Sequence, residues 1–328
     1  YQVILEWRWP GREPQIGMTG IGLVAAVLVA GHAGWTYQDY FINWASRQDA
    51  QAEYRTDLAN LARYIEAGDD SSPVVMCSIP IADLSPIEIT HQQLYDDYLL
   101  HRRDLRIRYF DCTQSLVLAN GGGEQRLIFP TQPYYERLPG PLLAWLRYAE
   151  PEEVPGVMPD HVLRLDVSQP LADQVGAFIT TAPTAWPPEA GARLASLPVN
   201  FEANTAFLGY DVRDDVIRST DWVELTTYWR MDGPPPNQDV TLFAHMLGTA
   251  QTIVLAQTDS LGVDIRSLQP RDVFIQYSLI QTPGGVSPGL YALSVGMYFP
   301  DSGLRLSAFE DGEDQADRLF LQRIEVRR

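Results

Sequence analysis

An uncharged, apolar segment near the beginning constrains this chain most strongly. Residues 16–37 read IGMTGIGLVAAVLVAGHAGWTY and contain no Asp, Glu, Lys or Arg. About twenty residues of α-helix, rising about 1.5 Å each, span the ~30 Å hydrocarbon core of a bilayer. Trp9 precedes the segment, and Trp35 and Trp44 lie at its end and beyond, as aromatic rings do at membrane interfaces. The sequence therefore predicts one transmembrane helix over residues 16–37.

The flanking charges favour one orientation of this helix. Arg8 and Arg12 precede it, and the next basic residue is Arg47. Because cytoplasmic flanks carry the excess of basic residues, residues 1–15 are predicted on the cytoplasmic side. The bulk of the chain is then extracytoplasmic, and the lipid bilayer is its first expected partner. Glycines within the helix would let other membrane helices or subunits approach closely, so these are further expected partners.

Composition restricts the remaining function classes. The 328 residues carry a net charge of −18, which repels phosphate backbones and argues against nucleic-acid binding. A hydrolase would need a poised Ser or Cys or a carboxylate pair, and none of the five His lies in a recognisable triad context. No catalytic residue, cofactor-binding residue or metal ligand is predicted.

The two cysteines fit an oxidising compartment. Cys77 and Cys112 each follow an apolar run, VVMC and IRYFDC, that is typical of a β-strand. A disulfide would join them if the two strands are neighbours, and the sequence leaves this pairing open. Two thiols without nearby His are too few ligands for a zinc site.

Residues 45–190 alternate between helical and strand patterns. Such alternation with short connections predicts an α/β domain with a partly parallel sheet. Thr90 and Gln93 form a capping box ahead of one of the helices. The predicted helices cover residues 49–67, 90–102 and 141–148, and the predicted strands cover 73–79, 105–110, 115–118, 126–129 and 162–167.

Beyond a Pro-rich linker at residues 180–198, the pattern changes to short alternating strands. Seven or eight antiparallel strands over residues 195–328 predict an all-β sandwich, jelly-roll-like in its path. The predicted strands cover residues 206–212, 222–230, 240–247, 253–257, 273–280, 290–298 and 320–326.

Two features of this second domain suggest ligands. Trp222, Tyr228 and Trp229 are candidates for stacking on sugar rings, although strand aromatics more often belong to a core. The acidic loop Glu310–Asp314 offers oxygen ligands for calcium, with a solvated hairpin tip as the alternative.

The order of several motifs resembles a known family. TYQDYFINWASR, DLANLARYI and IRYFD resemble the region after the last membrane helix of bacterial family 39-type glycosyltransferases of the GT-C class. FLGYDV, WVELTTYWR, VTLFAHML and PGLYALSVGMYFPDSGLRL are similar to the β-domain appended to such proteins in Chloroflexi.

The resemblance implies a part of a transferase that moves a sugar from a polyprenyl-phosphate carrier to an acceptor outside the membrane. The family's catalytic acidic residues lie in a first outer loop that has no counterpart here. The chain is therefore expected to be a non-catalytic C-terminal part that positions acceptor or glycan. The alternatives are a single-span accessory or structural subunit, and a tethered carbohydrate-binding module.

Overall fold

The computed structural model describes residues 18–53, 55–67, 70–79, 90–102, 105–131, 134–185, 194–248 and 253–328. They belong to two units, residues 1–57 and residues 58–328. The segment predicted on the cytoplasmic side, residues 1–15, lies outside the described residues. The same holds for residues 186–193 in the middle of the predicted linker.

The first unit is helical. Helix α1 (Met18–Tyr37) continues as a π-helical segment (Gln38–Trp44), and a short helix α2 (Gln48–Glu53) follows. Within the described part of the chain, the run Gly20–Trp44 is the one helix long and apolar enough to cross a membrane. The predicted apolar helix is thus confirmed, and it extends seven residues beyond Tyr37. A membrane anchor and an N-terminal signal sequence share this length and composition.

The second unit begins with a mixed sheet. Its strands are β1 (Val74–Cys77), β2 (Ile107–Phe110), β4 (Gln125–Ile128), β5 (Ala149–Pro151) and β6 (Val162–Leu165), and β3 (Ser115–Leu118) lies between β2 and β4 in the chain. The sheet order is β2-β1-β4-β6-β5, with β1 parallel to both of its neighbours and β6 antiparallel to β4 and β5. This arrangement confirms the predicted α/β region with a partly parallel sheet.

Two helices, α3 (Thr56–Ala67) and α4 (His91–Leu94), accompany this sheet in the first part of the second unit. In α3, Leu61, Ala62 and Ile65 pack on one face of the sheet, as their spacing predicts. Helix α4 begins with the predicted capping box, because Thr90 Oγ1 accepts from the Gln93 amide at 3.2 Å. It continues as a π-helical turn (Tyr95–Leu99), three residues short of its predicted end.

Two further helical segments follow in the chain. The third predicted helix is present as α5 (Gly140–Leu143) with a 3₁₀ continuation (Ala144–Tyr148). Helix α6 (Ser168–Thr181) was not among the predicted elements. Its apolar residues Leu171, Val175 and Phe178 have helical offsets of four and three, so a signal for it was present in the sequence.

The remaining strands form two sheets. They are β7 (Val199–Phe201), β8 (Thr205–Val212), β9 (Val216–Arg218), β10 (Trp222–Met231), β11 (Thr241–Leu247), β12 (Val254–Asp259), β13 (Val273–Gln281), β14 (Gly289–Phe299), β15 (Leu304–Arg305), β16 (Ala308–Glu310), β17 (Glu313–Ala316) and β18 (Leu319–Arg327). One sheet has the order β17-β16-β7-β8-β10-β13-β3, and the other has the order β12-β11-β14-β18-β9 with β15 paired to β14.

These two sheets confirm the predicted β-sandwich. Each of the seven predicted strands is present, with its ends displaced by at most two residues. Neighbouring strands are antiparallel, except that β9 pairs with β18 in parallel. The jelly-roll path stays a prediction.

One face of the mixed sheet shares an apolar core with the sandwich. Strand β3 leaves the mixed sheet and pairs with β13, placing Val117 opposite Phe274. Val75 and Leu127 of the mixed sheet belong to the same apolar cluster as Trp229 of the sandwich. A buried ion pair crosses the junction, with Arg108 Nε 2.9 Å from Asp272 Oδ2. Residues 58–328 are consequently one compact unit.

Candidate functional site

The disulfide lies at the ends of two neighbouring strands. Cys77 ends β1, and Cys112 follows the last residue of β2 by two positions. The strands are parallel neighbours, which brings the two Cα atoms to 5.4 Å, and the sulfur atoms are bonded. The pairing that the sequence left open is therefore present.

The three predicted glycan-contact residues have different environments. Trp229 is 0% exposed, packs against Phe207 and Phe274, and donates its indole N–H to Thr227 Oγ1 at 3.0 Å. A sugar ring has no access to it, so Trp229 is a core residue and not a contact residue. Trp222 is 49% exposed at the beginning of β10. Tyr228 is only 4% exposed, but it lines a cleft.

This cleft lies on the outer face of the seven-stranded sheet. Alternate residues of β10 point outward and form its floor, because side chains of a strand alternate between two faces. Two segments lie beside the floor: α5 with its 3₁₀ continuation (residues 140–148), and the first half of α6. The cleft has a volume of about 760 Å³, within the range of roughly 300–1,000 Å³ usual for small-ligand sites. Its lining includes Trp145, Arg147, Tyr148, Pro170, Asp173, Gln174, Asp211, Arg213, Glu224, Thr226 and Tyr228.

Gly209 allows α6 to form one wall of the cleft. A Cβ atom at this position would lie 2.3 Å from Cδ2 of Phe178 on α6, so the helix packs directly on the backbone of β8. The φ angle of Gly209 is +149°, a value that residues with a side chain rarely adopt. The register of β8 and β10 also shifts between Tyr228 and Trp229, next to this contact. Phe178 then meets Tyr228, with the ring centroids 4.8 Å apart.

Aromatic rings form the apolar part of the cleft. Trp145 packs edge-to-face against Tyr228 at a centroid distance of 6.2 Å. Tyr148, at 38% exposure, is the accessible ring. The Arg147 guanidinium lies 4.6 Å from the Tyr148 ring centroid and donates to the Tyr148 hydroxyl at 2.6 Å. This contact holds the Tyr148 ring at the cleft.

Asp211 is the central polar group of the cleft. Its Oδ2 accepts a hydrogen bond from the Tyr228 hydroxyl at 3.4 Å and another from Gln174 Nε2 at 3.3 Å. Desolvation raises the pKa of the Asp211 carboxyl above its ordinary value, against a smaller opposing effect of the Tyr228 hydrogen bond. The same loss of water raises the pKa of Tyr228.

Glu224 is engaged by its neighbours. Arg213 donates to Oε1 at 2.8 Å, and the Tyr277 hydroxyl donates to Oε2 at 3.0 Å. Burial and this hydrogen bond to Glu224 raise the pKa of Tyr277 to about 12. Asp173 Oδ1 accepts a hydrogen bond from the side-chain amide Nε2 of Gln169 at 2.7 Å. Among the described residues, Arg213 forms the one ion pair with a carboxylate of the cleft.

The acidic loop Glu310–Asp314 is a tight hairpin. Asp311 and Gly312 connect β16 to β17, with φ angles of +53° and +83°. Positive φ at both turn residues is the geometry of a two-residue type I′ hairpin. Asp314 accepts from the Ser307 hydroxyl at 2.9 Å. Within the described ranges, no three His, Cys, Asp or Glu side chains are grouped as metal ligands. The loop has the backbone geometry of a hairpin tip, and calcium binding there stays a prediction.

Of the three predicted contact residues, only Tyr228 is among the residues that line the cleft. Side chains alternate along a strand, so Glu224, Thr226 and Tyr228 share one face of β10, and all three line the cleft. Trp145, Tyr148 and Asp211 were missed, because the site depends on α6 docking beside residues 140–148. The helical spacing within α6 was the available signal.

The fold and cleft define a β-sandwich protein with a ligand-sized cleft on its larger sheet. No family model matches the chain, and no curated protein matches it. Among solved structures, the C-terminal domain of wzt aligns over 46% of this chain and 84% of its own, with 10% identity and a TM-score of 0.31. A CARDB domain from Pyrococcus furiosus, in complex with di-metal ions, aligns over 41% of this chain and 94% of its own, with 10% identity and a TM-score of 0.24. At these TM-scores neither likeness carries an argument about function.

Proposed function

We propose that this chain is a membrane-anchored, extracytoplasmic protein that binds a glycan in the cleft. The observation that carries the proposal is the combination of accessible aromatic surface at Tyr148 with hydrogen-bonding groups at Asp211 and Gln174. A pyranose ring has apolar C–H faces and a rim of hydroxyls, so it needs both kinds of surface in one place.

Three observations support the proposed location. Helix α1 and its continuation have the length and composition of a membrane anchor. The bond between Cys77 and Cys112 fits an oxidising compartment, because cytosolic thiols are normally kept reduced. Arg8 and Arg12, which precede the helix, favour an orientation in which the residues after the helix are extracytoplasmic.

The proposed role of glycan binding is to position acceptor or glycan for a membrane glycosyltransferase. The chain would be the non-catalytic C-terminal part of a polyprenyl-phosphate-sugar-dependent transferase, with its jelly-roll-like sandwich as the binding platform. The alternative is a single-span accessory subunit or tethered module. The intact mass of the native polypeptide separates them: a mass far above 36.8 kDa supports the transferase, and a mass close to it supports the alternative.

Glycan binding is tested with the full chain in detergent micelles on an array of neutral oligosaccharides. The variant Tyr148→Ala removes the accessible ring and is expected to weaken binding by about tenfold. Trp222→Ala is the matched control, because Trp222 is an exposed aromatic outside the cleft lining. It is expected to bind like the wild type. Loss of binding in Trp222→Ala with normal binding in Tyr148→Ala would move the site away from the cleft.

A further inference from the structure

We infer that the cleft selects electrically neutral, hydroxyl-rich glycans over anionic ones, and that Asp211 is the specificity-determining residue. This inference rests on the proposed glycan-binding function and names the class of ligand. It is argued from the charges in the cleft and from the free acceptor capacity of Asp211.

The charges that line the cleft do not cancel evenly. Glu224 is paired with Arg213, whose guanidinium is 2.8 Å from Oε1. Arg147 lies on the Tyr148 ring and donates to its hydroxyl, so this guanidinium is held at the rim. Asp211 and Asp173 have only amide or hydroxyl donors among their described partners. The part of the cleft around these two carboxylates is therefore acidic.

Asp211 has an unused acceptor atom. Both of its side-chain hydrogen bonds, from Tyr228 and Gln174, go to Oδ2 at 3.3–3.4 Å. Within the described part of the chain, no donor reaches Oδ1. An ionised carboxylate accepts about four hydrogen bonds, so Oδ1 is available to sugar hydroxyls. The raised pKa of this carboxyl agrees with a group that has lost water without gaining a cation.

A carboxylate or phosphate on the ligand meets the opposite situation. It brings a second negative charge to a partly desolvated carboxylate, and it has no hydrogen to donate to Oδ1. Asp211 is exposed at the cleft, so an anionic ligand reaches its carboxylate and is repelled by it, and such like-charge repulsion is a common source of specificity. Arg147 and Arg213, which also line the cleft, repel a cationic ligand. Neutral donors are the chemistry that satisfies all of these groups.

The test uses the full chain in detergent micelles and matched pairs of ligands. Each pair is a neutral β-1,4-linked hexose tetrasaccharide and the same tetrasaccharide with one C6 oxidised to a uronate. The wild type is expected to bind the neutral member at least about tenfold more tightly. In Asp211→Asn the preference is expected to fall below about threefold, with weaker binding of the neutral member. Asp301→Asn removes an exposed carboxylate outside the cleft and serves as the charge-matched control.

The outcomes separate the inference from the function on which it rests. Equal binding of both members by the wild type, or an unchanged preference in Asp211→Asn, overturns the specificity while Tyr148-dependent binding preserves the proposed function. If no member of any pair binds the wild type, the proposed function is itself overturned. Melting curves of each variant show whether a loss of binding reflects a loss of fold.

Discussion

At the scale of single residues, Asp211 combines a binding role with a cost in stability. Asp211 is exposed, but its neighbours remove part of its water; this raises the pKa of its carboxyl, so the ionised form is less favourable in the fold than in the unfolded chain. The contribution of this carboxyl to the free energy of unfolding is therefore fully present at pH values below the ordinary Asp pKa. It is lost as the pH rises through the raised pKa of the folded chain. A group placed for a ligand frequently has this property.

The first prediction follows from that sign. Asp211→Asn removes the charge, so this variant is expected to unfold at a higher temperature than the wild type at pH 7. The difference is expected to shrink at pH 3, where the wild-type carboxyl is protonated in both states. Thermal melts at the two pH values measure it. A variant that is less stable than the wild type by the same amount at both values would contradict the assignment.

The second prediction concerns the buried ion pair of Arg108 and Asp272. Asp272 is fully buried and also accepts from the backbone amides of Asn120 and Gln269. Arg108→Met leaves the buried Asp272 carboxylate without a cation, and this is expected to lower the free energy of unfolding by about 3–5 kcal/mol. Urea denaturation measures this loss. The double variant Arg108→Met with Asp272→Asn, which removes both charges, is expected to lose less, and an equal or greater loss would argue against a charge effect.

At the scale of elements, the docking of α6 on β8 determines the cleft. Leu171 and Phe178 are its buried residues, and Phe178 occupies the space that a side chain at position 209 would need. The cleft wall that carries Asp173 and Gln174 therefore depends on one glycine in β8, a strand of the seven-stranded sheet.

The third prediction tests this contact. Gly209→Ala combines an unfavourable φ with a close contact to the Phe178 ring, and it is expected to cost about 2–4 kcal/mol. Glycan binding is expected to weaken with it, because α6 has to shift. Gly176→Ala is the matched control within α6: its Cβ has open space, and alanine favours a helix by about 1 kcal/mol over glycine. Urea melts that find both variants equally stable would exclude the close contact.

At the scale of the whole molecule, one apolar cluster is shared by the mixed sheet and the sandwich, and a second cluster lies between the mixed sheet and α3. Strand β3 is an edge strand of the sandwich although its sequence neighbours belong to the mixed sheet. The Arg108–Asp272 pair joins the same two regions. The two segments predicted as separate domains are thus mutually dependent in their packing.

The fourth prediction is cooperative unfolding of this unit. Tryptophan fluorescence and far-ultraviolet circular dichroism of the full chain are expected to report coincident urea transitions, with residual ellipticity from α1. Trp145 and Trp229 lie in different parts of the unit, so both regions contribute to the fluorescence signal. Two well-separated transitions would show that the segments unfold independently.

Local patterns were sufficient for most elements. Seven of the sandwich strands, the capping box at Thr90 and the apolar helix were predicted within a few residues, because alternation, capping and apolar runs depend on near neighbours. The short strands β7, β9, β15, β16 and β17 were missed. Helix α6 was missed although its spacing was present. The sequence also offered Tyr228 and Trp229 together as ligand contacts, although adjacent residues of a strand face opposite sides.

By itself, the sequence determined the apolar N-terminal helix, the acidic character, most of the longer helices and strands, and which residues of β10 share a face. Only the tertiary structure decided that Trp229 is core and Tyr228 lines a cleft, that Cys77 meets Cys112, and that β3 joins the sandwich. The physical reason is that periodicity is set within a few residues, whereas neighbouring strands and covered faces are set by contacts between distant segments. The cleft exists because residues 140–148 and α6 pack on β8 and β10, which lie later in the chain.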